Sequence, residues 1–390
     1  MGRLDAFYNS LFAEEQRFCP RCHEAFYPGE CDIVATFPPH TRGEVLYASK
    51  KGAWARKNPK SIAGEYMKRL ATRMCPNPQC GYYLPRNIDT TPVLNIAVVG
   101  DYQAGKSHYI ASLIKQLQEK RVVPDDQYFR LVGMTPLVEA RYNHEYLSKL
   151  FGAHEPLQRT RPLTPGDMID PLIYELTFRR SQDHWPKTVN LAIHDASGED
   201  YSTPEKIVEF TQHVINANGL IYLADPMALP DIKKGLPSSL HLSPDTISPT
   251  ATFNMIIKLI EEFRGLPAGA KLMDFPIAVT LSKSDLLKKK RPPGNPFTFS
   301  TNPLYQGGAD LLDLAKVEQE VLEVLNNYAG DRSLIPATQT IEKKHFLAIS
   351  ATGMSPDASG SYPNVEPCRC LDPFLWILYQ LELIPAVGQP

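Results

Sequence analysis

A glycine-rich segment between an apolar run and a helical pattern carries the strongest chemical signal in this 390-residue sequence. It follows the spacing G-x-x-x-x-G-K-S over residues 100–107. Glycines let such a loop fold back so that successive backbone N–H groups converge on phosphate oxygens. Lys106 supplies a mobile charge for the β- and γ-phosphates, and the Ser107 hydroxyl suits Mg²⁺. We predict that nucleotide binds to this phosphate loop and the residue after it: Gly100, Asp101, Tyr102, Gln103, Ala104, Gly105, Lys106, Ser107 and His108.

A second motif, D-x-x-G, ends another apolar run and extends from Asp195 to Gly198. A carboxylate at Asp195 can hold a water on Mg²⁺, since this ion prefers oxygen ligands. Gly198 carries no side chain, so its N–H can approach the γ-phosphate closely. The next residue, Glu199, offers a carboxylate that can act as a base on an attacking water. The motif therefore predicts the side of the site that holds the metal and the γ-phosphate.

Two motifs nearer the carboxyl end predict recognition of a base. S-K-x-D places Ser282, Lys283 and Asp285 after an apolar run. A carboxylate at Asp285 accepts hydrogen bonds from guanine N1–H and the 2-amino group, whereas adenine would leave it unpaired. The stem of Lys283 can lie along the purine ring. A final S-A-T motif can present backbone N–H groups to the guanine 6-oxygen, and it consists of Ser350, Ala351 and Thr352. Together the two motifs favour GTP over ATP.

All four motifs follow apolar runs, and the carboxyl ends of parallel strands are where α/β folds bind ligands. β-like runs alternate with helical patterns, which predicts an α/β domain with a mostly parallel, six-stranded sheet and helices on both faces. The predicted strands are 94–99, 172–178, 189–194, 219–224, 277–281 and 346–349. The predicted helices are 107–120, 137–150, 204–217, 252–263, 308–328 and 373–383.

The order of these motifs resembles that of the Ras-like GTPases of the TRAFAC class, over roughly residues 93–385. The G-K-S-H-Y-I-A-S-L-I segment, the amino-terminal cysteines and the long first switch are similar to the bacterial double-GTPase family. The resemblance implies a Mg²⁺-dependent GTPase in a multi-protein signalling or conflict system, with a second GTPase or an effector as partner. Three residues depart from the class pattern: Ser282 replaces Asn or Thr, Tyr102 replaces a common Gly, and Glu199 replaces the Gln that orients water.

The resemblance also implies a first switch whose Thr binds Mg²⁺ and the γ-phosphate. The insertion at roughly residues 121–171 offers Thr164, with Thr160 as the alternative. Arg161, three residues before Thr164, is similar to the stabilising Arg that heterotrimeric G-protein α subunits carry in cis. Arg159 and Arg161 fit equally well as exposed loop charges. The expected catalytic residues are Lys106, Arg161, Thr164 and Glu199, and the expected Mg²⁺ ligands are Ser107, Thr164 and Asp195.

Seven cysteines lie in three places, and close pairs in a reducing compartment indicate metal ligands rather than disulfides. Two short turns, each with a cysteine at either end, are called knuckles here: Cys19–Cys22 and Cys75–Cys80. Two such knuckles suit a closed, structural Zn²⁺ site with four thiolates. Cys31 and His23 are alternative ligands, and reduced surface thiols are the simplest alternative to a metal site. The expected zinc ligands are Cys19, Cys22, Cys75 and Cys80.

We expect a zinc-ribbon-like module with a basic insertion over residues 1–91 and a P-loop GTPase domain over residues 92–390. The formal net charge of −2 excludes a globally basic nucleic-acid binder, and few aromatic residues interleave the basic stretch at residues 50–73. A protein partner is the better expectation there. No apolar run approaches the ~18 residues of a membrane span, and the amino terminus lacks the pattern of a signal peptide. We therefore expect a cytoplasmic protein without membrane contact.

Three functional hypotheses follow. The first is a Mg²⁺-dependent switch that binds and hydrolyses GTP, which Lys106, Ser107 and Asp195 favour. The second is a zinc-bearing scaffold that binds GTP as a structural or dimerising ligand with little hydrolysis, which Tyr102 and Glu199 favour. The third, an ATPase, requires that Asp285 does not face the base.

Overall fold

The computed structural model describes residues 16–35, 45–47, 71–119, 128–164, 166–179, 187–201, 206, 212–234, 248–267, 269–292 and 294–388. In the amino-terminal part, the described residues form five short strands. The antiparallel pair β1–β2 is Arg17–Phe18 with Ala25–Phe26, and the order β4-β3-β5 joins Val45–Tyr47, Ile33–Ala35 and Ala71–Arg73. Most of the basic stretch at residues 50–73 lies outside the described residues.

A seven-stranded sheet forms the main body, and four of its strands lead directly into the predicted motifs. Its strands are β6 (Val93–Gly100), β7 (Tyr128–Gly133), β8 (Leu172–Arg179), β9 (Lys187–His194), β10 (Gly219–Ala224), β11 (Ile277–Leu281) and β13 (Lys344–Ala348). Their order is β13-β11-β10-β6-β9-β8-β7. β8 is antiparallel to both neighbours, and the other pairs are parallel. A separate parallel pair joins β12 (Ala309–Asp310) to β14 (Ala386–Val387).

The prediction of six strands was one strand short, since β7 adds an edge strand. β7 shows the alternation of a half-buried strand, because Phe129 and Leu131 are buried while Arg130 between them is exposed. It lies inside the stretch predicted as a switch insertion, where its short alternation gave no separate signal. The other six predicted strands are all members of the sheet.

The helices cover the predicted ones closely. They are α1 (Lys106–Gln118), α2 (Pro136–Tyr142), α3 (Gln212–Ile215), α4 (Pro230–Lys233), α5 (Pro249–Phe263), α6 (Leu311–Tyr328) and α7 (Asp372–Gln380). A π-helix, Asn143–Ala153, continues α2 directly. The helix predicted at residues 204–217 lies partly outside the described residues, and α3 is its described part. Among the described residues, no helix has both the length and the apolar character needed to cross a bilayer.

Among the described residues, buried apolar side chains form a large cluster, a small one and a minor one at Met227 and Ala228. The large one fills the space between the seven-stranded sheet and its helices, and it begins at Leu94. The small one is built around cysteines in the amino-terminal part, and Val93 and Met168 of the main body pack against it. Arg73 is fully buried here, donates to Asp89 at 2.8 Å and to the Pro28 carbonyl at 2.8 Å, and so serves the fold rather than a partner surface.

Candidate functional site

A cavity of about 580 Å³ opens at the carboxyl ends of β6, β11 and β13. Its size fits a small-molecule ligand, since such pockets measure roughly 300–1,000 Å³. All four sequence motifs contribute to its wall. Most of the predicted site residues line this cavity: Tyr102, Gln103, Ala104, Gly105, Lys106, Ser107, His108, Gly198, Glu199, Ser282, Lys283, Asp285, Ser350, Ala351 and Thr352.

The phosphate loop has the geometry that its glycines predict. A Cβ on Gly100 would lie 2.4 Å from the Leu223 carbonyl oxygen of β10, so only glycine fits there. Gly105 has φ of +87°, a left-handed conformation that glycine adopts without strain. Lys106 is buried, and its Nζ donates to the carbonyls of Gly100 at 2.8 Å and Asp101 at 3.1 Å. Burial lowers the pKa of Lys106 to about 8, although Asp195 and other carboxylates oppose this shift.

Oxygens of three side chains converge beside the phosphate loop. Ser107 Oγ lies 3.0 Å from Asp195 Oδ1 and 3.1 Å from Thr160 Oγ1, and Thr160 Oγ1 lies 3.4 Å from Asp195 Oδ2. Neighbouring oxygens in a Mg²⁺ octahedron with bonds of ~2.1 Å are about 3.0 Å apart, so this donor set fits the ion. Tyr146 of the π-helix donates to Asp195 Oδ2 at 2.9 Å. Burial raises the pKa of Asp195, and the hydrogen bonds from Ser107 and Tyr146 oppose this.

Thr164 lies apart from this oxygen set. Its amide and hydroxyl both donate to Asp167 Oδ2, at 2.9 and 2.6 Å. Arg161 is 78% exposed and pairs with the same carboxylate. The structure thus brings Thr160, the alternative, to Ser107 and Asp195, and it leaves Thr164 and Arg161 in a local turn away from the cavity wall.

Arg159 takes the position toward the cavity that was expected of Arg161. Its guanidinium lies 4.6 Å from the centre of the Tyr102 ring, a cation–π contact between the first switch and the phosphate loop. Both residues line the cavity.

The segment that carries Thr160 is fixed at two points. The Leu157 amide donates to His108 Nε2 at 3.2 Å, and the Leu163 amide donates to Asp200 Oδ1 at 3.0 Å. Burial lowers the pKa of His108 to about 4, so the neutral ring is available as an acceptor. The segment therefore links the start of α1 to the residues after the D-x-x-G motif.

Gly198 packs directly against the phosphate loop. A Cβ at this position would lie 2.7 Å from the backbone nitrogen and Cα of Tyr102. Glu199 is exposed on the wall of the same cavity, and its amide donates to Ser197 Oγ at 3.3 Å. The backbone of the D-x-x-G motif thus packs against the backbone of the phosphate loop, and only glycine leaves room for this contact.

The opposite end of the cavity carries the base-reading motifs. Ser350 Oγ donates to Asp285 Oδ1 at 2.6 Å, which fixes one oxygen of a carboxylate that lines the cavity. Lys283 adopts φ of +49° and its Nζ lies 2.5 Å from Asp225 Oδ2. Ser282 Oγ donates to the Ala224 carbonyl at 3.2 Å. Asp225 was not among the predicted site residues, although its position directly after β10 is a signal that could have identified it.

Tyr146 and Arg159 were also absent from the predicted set. Both belong to the long insertion, where neither spacing nor an apolar run marks a motif. Tyr146 lies four residues after Tyr142, with which it stacks at 6.0 Å, so a helical spacing of tyrosines was the available signal.

The four expected cysteines form one cluster in the amino-terminal part. Their Sγ atoms all lie within 4.8 Å of one another, and the pairs Cys19–Cys80 and Cys22–Cys75 are 3.8 and 3.7 Å apart. Tetrahedral Zn²⁺ with Zn–S bonds of about 2.3 Å separates its sulfurs by about 3.8 Å, so the donor set fits this ion. Hydrogen bonds from the other sulfurs, that of Cys19 first, lower the pKa of Cys80.

The alternative zinc ligands lie outside that cluster. Cys31 is buried, its Sγ lies 3.9 Å from the Tyr27 carbonyl, and burial raises its pKa to about 12. His23 is also buried, and its ring lies against another histidine, His194. Among the described residues, these four thiols are the ones grouped closely enough to hold one ion.

Comparison with known proteins finds a matching family and one similar curated protein. A sequence model of the family described as Double-GTPase 2 matches residues 95–318. The putative ESX-1 scaffolding and assembly protein SaeC of Mycolicibacterium smegmatis is 24% identical over 92% of this chain and 97% of its own.

Solved structures of GTPases are similar at low identity. The signal recognition particle receptor SRb-GTP/SRX complex from Chaetomium thermophilum has 13% identity and a TM-score of 0.31, over 75% of this chain and 99% of that chain. Elongation factor SelB from Methanococcus maripaludis, with a GTP analogue, has 12% identity and a TM-score of 0.23, over 67% of this chain and 30% of that chain.

Proposed function

The chain belongs to the Double-GTPase 2 family, and we propose that it is a Mg²⁺-dependent switch that binds GTP and hydrolyses it to GDP and phosphate. The observation that carries this proposal is the convergence of Ser107, Thr160 and Asp195 beside Lys106, with oxygen separations of 3.0 to 3.4 Å. This constellation joins the phosphate loop, the first switch and the D-x-x-G motif. A γ-phosphate placed there touches all three.

Ser107, Thr160 and Asp195 would hold Mg²⁺, the last directly or through water. Bound there, the ion would neutralise charge on the β- and γ-phosphate oxygens. Lys106 would exchange its two carbonyl acceptors for phosphate oxygens, because an ammonium gains more from a charged acceptor. The Gly198 N–H would approach the γ-phosphate, and Glu199 would orient and deprotonate the attacking water.

We assign the stabilising charge in the transition state to Arg159 rather than to Arg161. Arg159 already lines the cavity and lies on Tyr102, whereas Arg161 is exposed and paired with Asp167. A short rotation of the arginine away from the ring would bring its planar donors toward phosphate oxygens.

Guanine would be read by the free oxygen of Asp285, since Ser350 already donates to the other. Lys283, held by Asp225, would lay its stem along the purine. We also propose that the chain divides near residues 91 and 92 into a zinc-ribbon-like module and the GTPase domain, and that it works in the cytoplasm.

A single-turnover experiment with radiolabelled GTP and ATP tests the enzyme. We expect Mg²⁺-dependent turnover of GTP, little turnover of ATP, and loss of GTP turnover in Lys106→Ala. Lys115→Ala is the matched control, because Lys115 lies on the same helix and pairs with Glu119 at the surface. ATP turnover equal to GTP turnover would contradict the assignment of Asp285.

A scaffold that binds GTP with little hydrolysis is the second candidate, and it has one observation in its favour. The full-length similarity to SaeC, a putative scaffolding and assembly protein, fits a role within a multi-protein assembly. Tight GTP binding without measurable turnover in the unaltered chain would favour the scaffold. The two candidates share the nucleotide site and a protein partner, and they differ in whether hydrolysis resets the switch.

A further inference from the structure

A buried row of four aromatic rings runs from the cysteine cluster to the nucleotide site. His23 lies 5.1 Å from His194, and His194 stacks on His213 at 5.0 Å, measured between ring centroids. Tyr201 continues the row, since its hydroxyl and His213 Nε2 share a hydrogen bond at 3.1 Å. None of the four rings is more than 8% exposed. The row joins parts of the chain that are far apart in sequence.

Both ends of the row touch functional groups. His23 directly follows Cys22 of the cysteine cluster. At the other end, the Tyr201 ring lies 6.0 Å from Nζ of Lys106, the phosphate-binding lysine. In the middle, His194 is the last residue of β9 and directly precedes Asp195. Rings of the row therefore adjoin proposed ligands: His23 adjoins a zinc ligand, His194 a magnesium ligand and Tyr201 the phosphate-binding lysine.

The backbone at His23 points to a role for its ring. The two knuckles are alike at the residue after their second cysteine, where His23 has φ of +60° and Gly81 has φ of +55°. Glycine adopts this left-handed conformation freely, and a histidine does so at a cost. Strained residues that persist in a fold are often tied to function. Gly81 shows that the turn itself needs no side chain at this position. The first knuckle nevertheless carries the ring of His23 there.

Hydrogen bonding fixes His194 to the same knuckle. Its Nε2–H donates at 2.9 Å to the carbonyl of Pro20, which lies between Cys19 and Cys22. Burial lowers the pKa of His194 well below its usual value, so the ring is neutral and its Nδ1 carries a lone pair. That Nδ1 is buried and has no hydrogen-bond partner among the described residues. The position of the ring depends on the knuckle carbonyl, on His213 stacked against it and on His23, whose ring is tilted by 46°.

We propose that this histidine row couples the cysteine cluster to the nucleotide site, so that Zn²⁺ occupancy and nucleotide occupancy change each other's affinity. The proposal rests on nucleotide binding at the site described above. Four thiolates around an ion hold the first knuckle in one shape, and with it the Pro20 carbonyl and the His23 ring. When the ion leaves, His194 loses both contacts, and the backbone at Asp195 is free to shift.

Reciprocity makes this coupling measurable without hydrolysis. If zinc changes the affinity for a nucleotide by some factor, the nucleotide must change the affinity for zinc by the same factor. We would measure the zinc affinity of the full chain by competition with a chromophoric chelator, with Mg²⁺ present throughout. The three arms are no nucleotide, saturating GDP and a saturating non-hydrolysable GTP analogue.

We expect the zinc affinity to differ at least 5-fold between two of these arms, within the usual range of allosteric coupling. The difference should vanish in His194→Phe, which keeps a ring without the bond to Pro20, and in His23→Gly, which also relieves the strained backbone. Both variants should still bind zinc and nucleotide. Asp170→Asn is the matched control, because it removes the charge from the pair between Asp170 and Arg21 of the knuckle and leaves the row intact.

Equal zinc affinities in all three arms of the unaltered chain would overturn the proposal. So would a difference that persists in His23→Gly. Nucleotide binding is measured separately by fluorescence of a labelled GTP analogue, so that a chain that binds no nucleotide disproves the proposed function itself. A chain that binds nucleotide but shows no difference disproves only the coupling.

Discussion

Thr160 is held beside Ser107 and Asp195, the proposed metal site, by hydrogen bonds on either side of it. Leu157 is tied to His108 and Leu163 to Asp200, which leaves Thr160 midway along a short, fixed segment. Thr164 lies just beyond the second anchor and serves a local turn with Asp167. The two threonines therefore offer a direct test of the metal site.

Thr160→Ala should weaken the Mg²⁺ dependence of GTP binding at least tenfold, because it removes one of three converging oxygens. Thr164→Ala, the matched control, should leave that dependence unchanged. The measurement is the affinity for a fluorescent GTP analogue over a Mg²⁺ titration. A larger effect in Thr164→Ala would mean that the first switch rearranges and replaces one threonine by the other on binding.

Sequence reasoning could not choose between these threonines. Both lie in the same loop, and the groups that decide between them, His108 and Asp200, are distant in the chain. Motif spacing did select residues of the phosphate loop, the D-x-x-G motif and the two later motifs that line one cavity, because each motif follows an apolar strand. Tertiary contacts alone place Tyr146, Arg159 and Asp225, none of which sits in a recognisable motif.

Asp101 in the phosphate loop gives a prediction about pH. Burial raises its pKa to about 6, although Thr252 and Lys106 oppose this shift. The folded chain therefore holds this proton more tightly than the unfolded chain does, and the associated stability is full below pH ~4 and lost as the pH rises through about 6. The loss amounts to about 2–3 kcal/mol at this residue.

Asp101→Asn removes this dependence and should raise the melting temperature relative to the unaltered chain. The gain should grow between pH 5 and pH 7 and level off above that. Differential scanning calorimetry at matched ionic strength measures it. A gain that is constant over this range would show that the carboxylate is not the titrating group.

At the scale of elements, the described part of the long insertion between α1 and β8 contacts both α1 and Asp195. Tyr142 donates to the Ala111 carbonyl of α1 at 2.8 Å, and Tyr146 donates to Asp195. π-helical segments are rare and often lie at functional sites, and here the π-helix carries Tyr146. Length and helical pattern predicted a helix here, but its hydrogen-bond register and its contact with Asp195 depend on packing that periodicity does not report.

The loop after this π-helix carries the pair of arginines that separates two hypotheses about catalysis. Arg159→Ala should lower the single-turnover rate of GTP hydrolysis at least tenfold, because a stabilising arginine contributes most in the transition state. Its effect on GTP affinity should stay within about threefold. Arg161→Ala should leave both quantities unchanged, since Arg161 is exposed and paired with Asp167. The reverse ranking of the two variants would return the role to Arg161.

At the scale of the whole molecule, two cores of different kinds meet along one boundary. The large core rests on apolar side chains of the sheet, whereas cysteines form much of the small one. Contacts that join them include Asn87 to Glu175 at 3.0 Å and His194 to Pro20 at 2.9 Å. Cysteine spacing predicted the small core, but the contacts across the boundary had no signal in the sequence.

Because structural zinc sites contribute folding energy directly, metal removal should act first on the small core. A zinc chelator should increase hydrogen exchange in residues 17–35 and 71–88 while β6 and β10 stay protected. Cys75→Ala should abolish the binding of one zinc ion per chain and show the same exchange pattern. Cys31→Ala is the matched control, because Cys31 is equally buried in this core yet lies outside the cluster, and it should keep the ion. Loss of zinc in Cys31→Ala, or an exchange pattern that spreads evenly into the sheet, would contradict a four-cysteine site that stabilises the small core alone.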